Sequence, residues 1–181
     1  MKRYIALVVG FVLVTVVARG LYVPPVFPSN AYNFIFQEAG EYVQLGMTRH
    51  EVEASFGRAE GPYGTVIYSR RGMLRVFFED DILVSVDTMF YDCRWIFPGG
   101  LRTGSSQDEI ENVFDISDAR LMEFGRFRQI TFFFTEDSVL IPFGEDYWWS
   151  YIPSQAEFEV QFTIDTDTQK IDTISLSSSF F

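Results

Sequence analysis

Gly46-Met47-Thr48-Arg49-His50-Glu51-Val52, with Phe56 four residues on, has a second version in Gly104-Ser105-Ser106-Gln107-Asp108-Glu109-Ile110, with Phe114 four residues on. Glycine, hydroxyl residue, Glu, β-branched residue and Phe fall at matching places in both. In each copy the hydroxyl of Thr48 or Ser106 can accept from the backbone N–H three residues on. Glu51 or Glu109 can reach back to the cap's own N–H, so each copy reads as a capping box at the start of a helix. Val52 and Phe56 then share a helix face, Met47 can staple onto Val52, and Gly57 is placed to end the helix. A helix this short does not stand alone and needs a sheet to pack on.

The sheet is read from alternation. Thr65–Ser69 is predicted as a first strand, and Met73–Glu79 as a second, with Leu74, Val76 and Phe78 on one face. Asp80-Asp81 makes a turn, and Ile82–Thr88 returns antiparallel with Ile82, Val84 and Val86 on one face. After the second capping signal, a helix from Ser106 to about Phe114 is followed by strands at Gln129–Thr135 and Ser138–Pro142. An aromatic loop comes next, then strands Phe158–Asp165 and Lys170–Ser177 joined by a polar turn. Phe158, Val160, Phe162 and Ile164 share a face, with Ile174 and Leu176 opposite. Residues 31–45 read as a short helix or turn. The expected fold class is α+β: two tandem helix-plus-antiparallel-hairpin units with the helices on one side of an antiparallel sheet. The expected organisation is a signal or anchor at 1–18, a linker at 19–42, a first unit at 43–92 and a more elaborated second unit at 93–181.

The N-terminus directs the chain out of the cytoplasm. Lys2 and Arg3 precede an uncharged run from Tyr4 to Ala18, and Val16 and Ala18 fit the small-residue places before a cut at Arg19. Either a cleaved signal or an uncleaved anchor fits, and the positive flank places the remainder outside the cytoplasm. Val23-Pro24-Pro25-Val26-Phe27-Pro28 then reads as extended linker.

The formal net charge is −11, and loss of residues 1–18 would remove two cations and no acid. Such a chain lacks the cationic surface that binds phosphates, so nucleic acid is not expected as a partner, and membrane contact is expected only through residues 4–18 if the signal stays on. A single Cys93 allows no internal disulfide. The core must therefore hold the fold, and twenty Phe, nine Tyr and three Trp supply it.

Leu45-Gly46-Met47-Thr48-Arg49-His50-Glu51-Val52-Glu53-Ala54-Ser55-Phe56-Gly57, then Val66-Ile67-Tyr68 and a hairpin running from Phe77 through Asp80-Asp81 to Val86, resembles the BamE/SmpA small outer-membrane-protein family. That family in turn resembles the helix-plus-sheet repeat of the β-lactamase inhibitor protein. The match covers about residues 43–88 and, more loosely, 101–177, and implies a two-unit arrangement like the inhibitor's. The small lipoproteins of that family carry Cys directly after the signal, whereas Cys93 is the only one here, so lipid anchoring is not implied.

Residues able to do chemistry are few. His50, the single histidine, sits at the start of a helix beside Arg49 and Glu51, where an exposed surface role is expected. Asp165-Thr166-Asp167-Thr168-Gln169 alternates like a calcium loop, but Lys170 stands where that loop needs Gly and Leu176 where it needs Glu. A hairpin turn is the simpler reading. Glu79, Asp80 and Asp81 likewise belong to a turn rather than to acid–base chemistry. No catalytic, metal or cofactor residues are assigned. Tyr147, Trp148, Trp149 and Tyr151, in a loop bordered by Gly144 and Pro153, are the candidate partner-binding residues, since Trp and Tyr anchor interfaces. The alternative is that these rings fold back over the end of the sheet. The expected function is a non-enzymatic cell-envelope binding or assembly protein whose partner is another envelope or secreted protein. An inhibitor of an envelope or secreted enzyme is the first alternative, and an envelope hydrolase using acidic residues the second.

Overall fold

Alternation places Val76, Val86, Leu176, Val160 and Phe132 at equivalent positions of five strands, and pairing brings them into one cross-strand row of fully buried side chains. The computed structural model describes residues 33–36, 42–58, 60, 66–69, 72–89, 95–137, 139–143 and 152–178. Its elements are β1 (Asn33–Phe36), β2 (Tyr42–Gln44), α1 (Arg49–Phe56), β3 (Val66–Ser69), β4 (Gly72–Glu79), β5 (Ile82–Met89) and β6 (Trp95–Ile96). Next come α2 (Gln107–Glu111), a 3-10 turn (Ile116–Asp118), β7 (Arg120–Phe124), β8 (Phe127–Phe134), β9 (Leu140–Ile141), β10 (Phe158–Asp165) and β11 (Lys170–Ser178).

An eight-stranded antiparallel sheet runs β3-β4-β5-β11-β10-β8-β7, with β9 paired to β8, and a small three-stranded sheet runs β2-β1-β6. One face of the large sheet is apolar. Val52 of α1, Ile110 of α2, Phe114, and Val43 and Trp95 of the small sheet all join its cluster. Phe114 stacks on Phe132 at 4.4 Å and meets Phe162 at 5.8 Å, while Phe56 packs edge-on to Trp95 at 5.4 Å.

Both capping boxes form. The Thr48 amide donates to Glu51 at 2.8 Å and the Glu51 amide to the Thr48 hydroxyl at 3.3 Å; Ser106 and Glu109 repeat this at 2.7 and 3.3 Å. The Thr48 amide, and after it the Thr48 hydroxyl, which donates to the same carboxylate oxygen at 2.7 Å, hold the Glu51 carboxyl below its ordinary range. Each capped segment also docks on the first residues of a return strand. Gly46 N–H donates to Leu83 O at 2.9 Å and Leu83 N–H to Met47 O at 2.8 Å; Gly104 N–H donates to Ile171 O and Ile171 N–H to Ser105 O, both at 2.8 Å.

The correspondence between the two halves does not extend to the α+β fold of tandem helix-plus-hairpin units expected above, which is corrected here. The described residues are mostly antiparallel sheet. The helices are only eight and five residues long, too short to organise units of their own. Because β5 pairs with β11, one sheet and one apolar cluster serve both halves.

Two local readings are also corrected. Within 31–45, Asn33–Phe36 and Tyr42–Gln44 are strands, not a helix or turn. They are fixed by pairing, β1 taking β2 on one side and distant β6 on the other. In β5, Ile82 is 39% exposed while Leu83 is buried, the reverse of simple alternation. A bulge between Phe77 and Phe78 leaves Val84 without a direct partner, so the residues before it point the other way.

Candidate partner-binding face

The positions that alternate with the apolar rows build the second face of the large sheet. Arg75, Asp87, Ser175, Gln161, Thr131 and Arg120 are successive cross-strand partners from β4 to β7, every one polar. With strands about 4.8 Å apart, this row is about 24 Å long. Asp87 and Thr131 are buried, and the other four are at least partly open to solvent. Its neighbour row reads Phe77, Ser85, Ser177, Glu159, Phe133 and Ile141.

Charges on this face are matched. Two guanidinium nitrogens of Arg75 reach Asp87 Oδ2, at 2.8 and 2.6 Å, and the cation lies 5.5 Å from the Phe77 ring. At the far end Arg120 sits 5.0 Å over the Phe133 ring, which stacks on Phe143 at 5.7 Å. Arg120 and Glu159 act on each other. Burial raises the Glu159 carboxyl above its ordinary range, opposed first by the Arg120 charge and then by the Ser177 hydroxyl, which donates to it at 3.3 Å. Burial likewise lowers Arg120, opposed by Glu159.

The turn carboxylates are held locally. Asp80 and Asp81 have φ of 47° and 65°, the two left-handed residues of a tight hairpin turn. The Arg49 side chain bonds Asp81 at 2.9 Å and covers the Phe78 ring at 4.4 Å, which fastens α1 to that turn. Asp165 is buried and accepts from the amides of Asp167 and Thr168 at 2.9 and 3.3 Å, as an Asx turn does. Among the described residues no group of three or more His, Cys, Asp or Glu could hold a metal ion. His50 is exposed on α1. Tyr147, Trp148, Trp149 and Tyr151 lie outside the described residues, as do Cys93 and residues 1–18. A cleft of about 390 Å³ sets Glu136 and Glu157 beside Leu45 and Phe158. Its Ser178 hydroxyl donates to Val84 O at 3.2 Å. The row from Arg75 to Arg120 therefore presents hydroxyls, an amide and paired charges suited to hydrogen-bonded recognition, with the Phe77 and Phe133 rings beside its two ends.

The polar face is legible as the complement of the predicted apolar faces, and strand pairing is what gathers its residues into one row. Gln161 and Glu159 alternate with Val160 and Phe162, and Ser175 and Ser177 with Ile174 and Leu176.

No family model and no curated protein matches the chain. Solved structures align with it, two of which follow. One is a cysteine-rich secretory protein from Staphylococcus aureus subsp. aureus Mu50, with 16% identity, a TM-score of 0.46, and coverage of 75% of this chain and 43% of that one. The other is an extracellular protein containing a SCP domain from Bacillus anthracis str. Ames, with 11% identity, a TM-score of 0.43, and coverage of 75% and 44%. The chain spans less than half the length of either. The resemblance to the BamE/SmpA family and to the two-unit β-lactamase inhibitor protein is withdrawn. No family model supports it, and a sheet-dominated fold with helices of only eight and five residues departs from it. Among the described residues no helix is long and apolar enough to cross a membrane.

Proposed function

We propose that this is a non-enzymatic, exported binding protein that engages another envelope or secreted protein through the polar face of its large sheet. The observation that supports the reading is the unbroken polar row from Arg75 to Arg120 on the face opposite the helices. An open row of about 24 Å is long for a small-molecule site, which encloses its ligand, and suits the footprint of a protein partner. Charges already paired within the face make it specific by shape and hydrogen bonding rather than by net attraction. Export rests on the N-terminal Lys2-Arg3 flank and the uncharged run behind it.

The test is co-purification of the exported portion from its own envelope fraction, with mass-spectrometric identification of what it holds. Gln161→Arg places a long charged side chain in the middle of the row and is expected to release the partner while the protein stays folded. Retention of the same partner by this variant would place binding elsewhere.

A further inference from the structure

We propose that the β5–β11 junction is a hinge, across which the half-sheets β3-β4-β5 and β11-β10-β8-β7 change their mutual angle. Along the path from β3 to β7 it is the shortest pairing. β5 and β11 are in register only over Ser85–Asp87 and Ser175–Ser177, whereas β4–β5 pair from Met73 to Glu79 and β10–β11 from Phe158 to Asp165. The pairing is short for a physical reason. A bulge bends each flanking hairpin beside the junction, between Phe77 and Phe78 on one side and between Thr163 and Ile164 on the other.

Side chains extend the junction beyond those three pairs. The fully buried Thr88 hydroxyl accepts from the Ile174 amide at 2.8 Å and donates to the Ile174 carbonyl at 3.3 Å. At the other end the Ser178 hydroxyl donates to the Val84 carbonyl at 3.2 Å. Beyond the three ladder pairs the strands are thus joined through single side-chain hydroxyls instead of a continuous backbone ladder. The polar row crosses the junction between Asp87 and Ser175. Opening or closing the hinge therefore alters the distance between its Arg75 and Arg120 ends. The inference goes beyond the proposed function and holds whatever the face binds.

Native-state hydrogen exchange on the full chain, in increasing sub-denaturing urea, tests it, with the Ile174 amide as reporter of the junction and the Val160 amide as reporter of the sheet interior. In the natural protein Ile174 is expected to exchange through a local opening nearly independent of urea, and Val160 only through an opening that grows with urea. Thr88→Val, which keeps the shape and removes the hydroxyl, is expected to speed Ile174 exchange roughly tenfold or more beyond any change at Val160. Equal rates and equal urea dependence for both amides in the natural protein would overturn the hinge. So would a Thr88→Val variant that accelerates both alike. Should that variant fail to fold, the measurement on the natural protein decides alone.

Discussion

Asp87 is buried at 7% side-chain exposure, yet it is bound by Arg75, whose side chain is 44% exposed. The carboxylate is thus carried on the inside of a pair whose cation reaches out to solvent. Asp87→Ala leaves the guanidinium free to rehydrate, so the expected cost is about 1 kcal/mol rather than the larger loss of a fully buried pair. Urea titration of Asp87→Ala, Arg75→Ala and the double variant would measure this. A coupling energy near zero would remove the pair from the account of what holds this face.

The two capped junctions give a paired prediction. Thr48→Ala and Ser106→Ala should each cost about 1 kcal/mol in denaturant unfolding, because each removes the acceptor for the amide of Glu51 or Glu109. The sites share no partner, so the two losses should add in the double variant.

Glu159 makes stability depend on pH in the direction opposite to an ordinary paired carboxylate. Its folded pKa lies above the ordinary glutamate value of 4.5, chiefly through burial. Between the unfolded and folded values the native state holds the extra proton, so stability contributed by this group is present below the unfolded value and is lost as pH rises through the folded one. Glu159→Gln is therefore expected to match the natural protein in acid and to melt higher at neutral pH. Thermal melts of both proteins across that range check the sign, and a neutral-pH melt lower for Glu159→Gln would contradict it.

Short-range signals were legible because their chemistry is local. The capping boxes at Thr48 and Ser106 and the Asp80-Asp81 turn need only residues within a few positions of one another, and each forms where the sequence placed it. Long-range pairing was not legible in the same way. Asn33–Phe36 becomes a strand only because Trp95–Ile96 and Tyr42–Gln44 lie beside it, and nothing in four residues announces a partner so far along the chain. The junction of β5 with β11 is equally silent, and it makes one sheet of what read as two units. Resemblance in the capped helix and hairpin pointed to the wrong family for a related reason. Those residues are what any short capped helix on a hairpin requires, so they speak to local packing more than to descent. In the candidate site the alternation of Val160, Gln161 and Phe162 showed where a polar face would lie, whereas the bulge that reverses Ile82 and Leu83 left no mark in composition.

The central claim, that the polar sheet face is the binding surface, is tested most directly by titrating the co-purified partner with the natural protein, with Ser175→Arg and with Trp148→Ala/Trp149→Ala. Ser175 lies mid-row beside Asp87 and Gln161. Ser175→Arg is expected to weaken binding about 100-fold or more, a hot-spot loss of roughly 2–3 kcal/mol, with the thermal midpoint nearly unchanged. Removal of the Trp pair is expected to cause no comparable loss of affinity. Full affinity for Ser175→Arg, together with loss of binding in the Trp variant at unchanged stability, would contradict the claim and assign binding to the aromatic loop.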